Sequence, residues 1–484
     1  MSSSTLSIAR TALVAHQTAL QTVGHNIANA ATPGFTRQEA VLTANDPQRL
    51  TYGTVGTGVS VSTVVRKRNE MLDVGYRTSA ETTARVELRR DQLAQLESVF
   101  GEPSEEGMAK TMDEFFNAWS DLSATPTSIG ARAVVQQRGR QVATLFNTYD
   151  NELTSQRNTA TDRLQQTLRQ VNSLAEQVAD LNGRILSSES AGMPNNDLRD
   201  RRDVALDQLA SIAGARVERQ ANGNTAVLVG SFNLVEGTNT QRLELAFAVP
   251  PGPAPAEPVG DVPVRIRPVG GNDSTVTGVG GELHALMESI NQIIPELRTR
   301  LDANARTLTE TVNTLHRTGF LFDGSTIPGT AAGNFFDAGT ITSPVRAGTI
   351  GLDTSIAADA GRIAASQSVN APADNTVANQ LAALRDLPTS VTWTSADGAV
   401  ERGSFIGFFR STVTQLGITT QATRDDATLF RTLVDQAEAR RQDAGGVNID
   451  EEMVQIVRVQ QAYQAAAKMV KSVDELMQTI MQLI

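Results

Sequence analysis

The chain has 484 residues, 42 basic and 53 acidic, so it is long enough for several cores, and its net charge of −11 does not steer it toward nucleic acid or an anionic membrane surface. It contains no cysteine, which excludes disulfides, thiolate metal sites and a cysteine nucleophile. Apolar residues make up 40% but aromatic residues only 4%, a balance that suits long helices packed side by side better than a compact enzyme core.

No apolar run approaches the ~18 residues of a membrane-spanning helix. The opening Met1-Ser2-Ser3-Ser4 has no basic stretch followed by an apolar one, so no secretory signal peptide is expected. The first 31 residues read as one amphipathic helix. Leu6, Leu13, Leu20 and Ile27 recur every seven positions, with Ala9, His16, Val23 and Ala30 three positions after each. Pro33 and Gly34 end it, because proline cannot continue the hydrogen-bond ladder and glycine permits a turn.

From Phe35 to Arg68 the period falls to two, as in strands, and Arg66-Lys67-Arg68 reads as a solvated strand end. Helix is predicted from Asn69 to Val99. A break at 101–104 follows, and then a helix capped near Ser104 with Met108, Met112, Phe115, Phe116 and Trp119 on its apolar face. Residues 131–189 carry the longest helical pattern, stepping by three and four through Leu164, Leu168, Val171, Leu174, Val178, Leu181 and Ile185. A returning helix, Asp197 to Ala213, makes a coiled-coil-like antiparallel hairpin with it.

Residues 215–280 alternate as short strands around a proline-rich loop at 250–260, the pattern of a small antiparallel β domain. Helix returns from Gly281 to His316, residues 319–400 are irregular, and helix runs from Arg402 to the end. In the last 36 residues, Ile449, Ile456, Tyr463, Val470, Met477 and Ile484 stand seven apart. Val459, Ala466, Val473 and Ile480 follow three positions after four of them, with Glu452 breaking the series.

The expected fold is therefore mainly α with an inserted β domain, in three parts: 1–60 with 440–484, a helical rod of 61–213 with 281–439, and the β insert at 215–280. Periodicity identifies the two terminal seams but not their partners. They can close on each other within one chain, as in a non-polymerising coiled-coil adaptor, or pair with neighbouring copies. An adhesin built on the β insert is a more distant alternative.

Chemistry is poorly represented. His16, His25, His284 and His316 have no metal-ligand spacing, and Gly53 to Gly58 lacks the lysine of a phosphate loop. Asp197, Asp200, Asp203 and Asp207 share a helix face, where the interleaved Arg199, Arg201 and Arg202 would pair with them. No catalytic residue, cofactor or metal is expected.

The segment Val23-Gly24-His25-Asn26-Ile27-Ala28-Asn29-Ala30-Ala31-Thr32-Pro33-Gly34-Phe35 resembles the N-terminal signature of the flagellar axial proteins, which comprise rod, hook and hook-associated proteins. Gln460-Gln461-Ala462-Tyr463-Gln464-Ala465-Ala466-Ala467-Lys468-Met469-Val470 resembles their C-terminal signature. Three internal segments are similar to the hook-associated members at the hook–filament junction: Asn196-Asp197-Leu198 with Asp200-Arg201-Arg202-Asp203, Gly280-Gly281-Glu282-Leu283, and Gly446 to Met453. A different axial protein, such as a hook or rod component, is the alternative within the family.

The resemblance implies a secreted structural subunit that leaves the cell by flagellar type III export and forms a ring of identical copies. Hook protein would lie on one side, a second junction protein on the other, and an export chaperone would cover the C-terminal helix. It places the assembly interface at Leu6, Leu13, Leu20, Val23, Asn26, Ile27, Asn29, Pro33, Gly34 and Phe35, and at Ile449, Met453, Ile456, Val459, Tyr463, Val470, Val473, Met477 and Ile480.

Overall fold

The computed structural model describes all residues except 1, 51–52, 102–103, 105–106, 191–193, 220–224, 248–261, 271–273, 323–328, 341–342, 388–390, 395–397 and 483–484. The proline-rich loop at 250–260 and Ile484 lie outside the described residues, as does the side chain of Ile480.

Helix α1 (Ser2–Asn29) leads to β1 (Gln38–Ala44), the short pair β2 (Gln48–Leu50) and β3 (Gly53–Val55), and β4 (Val59–Arg66). Strand β1 pairs antiparallel with β4 from Gln38 opposite Arg66 to Ala44 opposite Val59. Helix α1 stops at Asn29 rather than at Ala31. Proline at 33 has no N–H to give the Asn29 carbonyl, which accepts instead from Thr32 at 2.8 Å and tightens the last turn.

Helix α2 (Glu70–Phe100) is capped by the Asn69 side chain, which accepts from the Met71 amide, and α3 (Met108–Ala124) follows. The cap of α3 falls at Gly107, not at Ser104. The Ser104 carbonyl accepts from Gly107 in the turn before the helix. Helix α4 (Ile129–Ser190) is a single unbroken element of 62 residues, and α5 (Asn196–Ala213) returns along it.

Strands β5 (Arg216–Arg219), β6 (Thr225–Val229), β7 (Phe232–Glu236) and β8 (Asn239–Thr240) form an antiparallel meander, and β9 (Leu243–Phe247) pairs with β10 (Val264–Pro268). Helix α6 (Gly281–Glu288) passes through one wide π turn, 289–293, into α7 (Ile294–His316). Pro295 removes a donor at that point. Helices α8 (Thr354–Ala358) and α9 (Thr376–Ala383) and the hairpin of β11 (Val391–Thr394) and β12 (Val400–Gly403) precede α10 (Phe405–Gly445) and α11 (Ile449–Gln482).

Two cores are strung along α4. The first joins Val135, Val142 and Phe146 of α4 to Phe115, Phe116 and Trp119 of α3, to α7, and to Phe405, Phe408 and Phe409 of α10. The irregular stretch also contributes to it: Phe335 packs 5.4 Å from Trp119 and 4.8 Å from Phe336. Its backbone is held by buried side chains of α7. Asn313 accepts from the amides of Phe335 and Phe336, each at 2.9 Å, and donates to the Phe336 carbonyl at 2.9 Å.

The second core joins Leu164, Leu168, Val171 and Val178 of α4 to α5, α6 and the inner faces of the sheets, including Val227, Val229, Val264 and Ile266. Asn182, fully buried on α4, fastens the meander by donating to the carbonyls of Thr225 at 3.0 Å and Gly237 at 2.8 Å.

Candidate assembly interface

Helices α1 and α11 pack antiparallel, so the end of α1 meets the start of α11. The meeting point is polar. Glu452 is 1% exposed and accepts from Arg37 Nε at 2.6 Å and from Asn26 Nδ2 at 2.9 Å. Asn26 also treats Gln38 as a strand neighbour would, donating to its carbonyl at 2.9 Å and accepting from its amide at 3.0 Å. One asparagine thus ties α1 to the first residue of β1 and to α11.

The turn between α1 and β1 lies on α5. Gly34 has φ +78°, and a Cβ there would sit 2.2 Å from Val204 Cγ2, so only glycine fits. Phe35 stands edge-on to His25, with ring centroids 5.3 Å apart. The Thr36 amide donates to Asp200 at 3.0 Å, and Asp197 lies 3.3 Å from His25 Nε2 and accepts from Gln38 Nε2 at 2.9 Å. The Arg37 amide donates to the carbonyl of Gly445, in the bend between α10 and α11, at 2.9 Å. Three sequence motifs far apart in the chain therefore meet here: Val23 to Phe35, Asn196 to Asp203, and Gly446 to Met453.

Beneath them is an arginine–carboxylate network. Arg66 Nη1 lies 2.7 Å from Asp200 and 2.8 Å from Asp203, with its side chain 8% exposed. Arg68 reaches Asp73 at 2.7 Å, and Arg77 and Arg441 converge on Asp207 at 2.7 and 2.6 Å. Arg441 also lies 3.8 Å from the centre of the Tyr76 ring. Arg66 and Arg68 are therefore not a solvated strand end. Asp200, Asp203 and Asp207 of α5 are paired as expected, but with cations from β4, α2 and α10 rather than from their own helix.

The α5 arginines point elsewhere, Arg199 to Glu189 and Arg202 to Asn182 Oδ1 at 2.9 Å. Burial pushes the Asp200 carboxyl up, against the pull of Arg66 and Thr36. Burial also opposes ionisation of Asp203, but Arg68 and Arg66 outweigh it and hold that carboxyl below its usual range.

The predicted seam residues fall unequally on the helix pair. On α1 the buried positions are Ala9, Ala15, Thr22 and Asn26, whereas Leu13, Leu20, Val23, Ile27 and Asn29 are half-buried and Leu6 is 44% exposed. Small residues mark the contact because they let the helix backbones approach closely. Pro33 and Gly34 are exposed and Phe35 is half-buried.

On α11 the buried column is Glu452, Ala466 and Val473, with Val459 half-buried. The Ile449, Ile456, Tyr463, Val470 and Met477 column lies on the rim. Ile456 and Val470 are half-buried, and Ile449 remains 53% exposed. Met453 is also exposed. The residue that broke the seam in sequence is its most buried member. Sequence reasoning missed Glu452, Arg37 and Gln38, although an isolated carboxylate in an apolar heptad column was a signal that a cation lay opposite.

Among the described residues no cluster of His, Asp and Glu could hold a metal ion, and no helix is long and apolar enough to cross a membrane.

Comparison with known proteins places these features. The N-terminal segment, residues 6–36, matches the family model described as flagella basal body rod protein, and residues 444–483 match flagellar basal body rod FlgEFG protein C-terminal. Paired terminal helices of this kind define a flagellar axial protein. Residues 93–336 match flagellar hook-associated protein FlgK helical domain.

Flagellar hook-associated protein 1 of Bacillus subtilis (strain 168) is 30% identical over 505 residues, spanning 98% of this chain and 97% of that one. The Salmonella typhimurium protein of the same name is 25% identical over 328 residues, 67% of this chain and 58% of that one. The solved structure of the flagellar hook junction protein FlgK from Burkholderia pseudomallei shares the fold, with TM-score 0.61 at 16% identity over 76% of this chain and 99% of that one.

The chain belongs to the FlgK family of flagellar hook-associated proteins. It is an axial structural subunit of the flagellum at the hook–filament junction, in a family of structural proteins rather than enzymes.

Proposed function

We propose that this chain joins hook to filament as one member of a ring of identical subunits, with hook protein on one side and a second junction protein on the other. Residues 1–60 and 440–484 form the inner assembly unit, the helical rod of 61–213 and 281–439 surrounds it, and the β strands of 215–280 face outward. Subunits are secreted through the flagellar type III export apparatus, with an export chaperone covering α11 until release.

One observation carries this reading. Helix α11 sets a single column of residues against α1 and leaves apolar side chains open on either side, among them Met453, Val457, Met469, Leu476 and Met477. A helix that is apolar on more than one face needs more than one partner. A patch that fits a different patch on an identical neighbour builds an open helical assembly or a ring rather than a two-fold dimer.

The test substitutes aspartate at Ile456 or Val470, placing a charge in the rim column. Purified variants should keep the α10 and α4 helices but fail to incorporate into the junction, leaving cells that export filament subunits without attaching them. Normal motility in either variant would remove the rim column from the interface.

A further inference from the structure

The chain has no cysteine, so its ten methionines are the sulfur that an oxidant meets. They are unevenly placed. Met108 and Met112 are fully buried in the aromatic core, and Met287 is half-buried against the second core. Four others, Met453, Met469, Met477 and Met481, stand on α11 with exposures of 52%, 45%, 46% and 72%. Among the described residues the one other exposed methionine is Met71, at the start of α2.

Their register ties them to the contact with α1. Met469 follows the buried Ala466 by three positions, and Met477 follows the buried Val473 by four. On a helix those two offsets fall on opposite sides, so the pair flanks the buried column. Met453 and Met481 lie further round on the Met477 side.

A thioether has no hydrogen-bond donor and packs as a flexible apolar group. Hydrogen peroxide changes that. A sulfur lone pair attacks one peroxide oxygen, the O–O bond breaks, and the sulfur keeps that oxygen as a sulfoxide. The other oxygen leaves as water with both hydrogens, so sulfur loses two electrons and peroxide gains them. The sulfoxide is polar and chiral. Burying it against a neighbour that offers no donor is unfavourable.

We propose that the four α11 methionines form an oxidation site for hydrogen peroxide, and that their sulfoxides keep an unassembled subunit out of the junction. This rests on the reading of α11 as the assembly face, and adds that the face is redox-sensitive until a neighbour covers it. Met108 and Met112 are shielded, so the helical rod keeps its fold while α11 is altered.

The experiment treats the purified full chain with hydrogen peroxide, quenches it and maps the sulfoxides by peptide mass spectrometry. The chain is then mixed with hook–basal bodies from cells that lack it, and incorporation is measured by sedimentation. The α11 methionines should oxidise at least about tenfold faster than Met108 and Met112, following exposure. Oxidised chain should incorporate at least about tenfold less than untreated chain, as expected for several polar oxygens buried without partners. Methionine sulfoxide reductase with a thiol reductant should restore it. Leucine at all four α11 positions should incorporate normally and ignore peroxide, although Met71 remains oxidisable.

Equal oxidation of buried and α11 methionines, or undiminished incorporation of oxidised chain, would overturn the proposal. So would a peroxide effect that persists in the leucine variant or that the reductase cannot reverse. Untreated chain that fails to incorporate would instead remove the assembly reading, and this proposal with it.

Discussion

Replacing Glu452 with alanine should loosen the terminal helix pair by an amount the geometry allows to be worked out. The substitution leaves Arg37 Nε without its 2.6 Å acceptor and Asn26 Nδ2 with only the Gln38 carbonyl. Breaking a buried ion pair by removing one partner costs roughly 3–5 kcal/mol. The Arg37 side chain is 26% exposed and keeps Glu451 at 3.1 Å, so water and the second carboxylate recover part of that loss. The expected cost is about 2–3 kcal/mol, a roughly 30- to 150-fold rise in opening of the pair.

Native-state hydrogen exchange reads this directly. Amides in the last turns of α1 and the first turns of α11 should exchange faster by that factor, while α4 stays unchanged. The double variant Arg37→Met with Glu452→Leu should recover most of the protection, because a matched apolar pair need not be less stable than the ion pair. Less than a threefold change at α11 in Glu452→Ala would refute the view that this carboxylate anchors the two ends of the chain.

Three further perturbations follow. Gly34→Ala meets both a positive φ and Val204, and should lower stability by about 1–3 kcal/mol, visible as earlier loss of the turn in limited proteolysis. Arg66→Ala strands Asp200, while Asp203 keeps Arg68 at 3.3 Å, and should cost about 3–5 kcal/mol, read as a fall in melting temperature that is smaller at low pH, where Asp200 is protonated. His316 is buried, donates from Nδ1 to the Gly333 carbonyl at 2.8 Å and accepts the Ala364 amide on Nε2 at 3.0 Å. Burial holds it down to about 4 from 6.5, so the unfolded chain binds the proton more readily. Its contribution, up to about 3 kcal/mol, is complete above pH ~6.5 and lost as pH falls toward 4. Urea midpoints measured across that range should slope in wild type and flatten in His316→Gln.

Much of the architecture was legible because long helices repeat their pattern. Helix α4 declared itself through the three- and four-residue steps from Leu164 to Ile185, and α5 through its acidic face of Asp197, Asp200, Asp203 and Asp207. The stretch 319–400 was not legible. Its order comes from single side chains such as Asn313 and His316 bonding irregular backbone, and from Phe335 and Phe336 entering a core built by other segments, none of which leaves a period in sequence.

The terminal seams were legible as seams but displaced on the helices. Large residues such as Leu6 and Ile449 attracted attention, whereas the contact runs through Ala9, Ala15 and Ala466. The polar layer was read as an interruption because Asn26 and Glu452 are far apart in the chain. The pairing of α5 was misassigned for a related reason: local spacing favoured Arg199 and Arg202, but strand β4 delivers Arg66 from another direction.

The length of α4 has a mechanical meaning. Its 62 residues span about 93 Å, and both cores grip the same rod. Force applied at the sheet end travels along one line of backbone hydrogen bonds into the aromatic core, with no flexible linker to absorb it. Tension and torsion are shared in series along that beam. Such a subunit passes load on without storing it in a soft hinge.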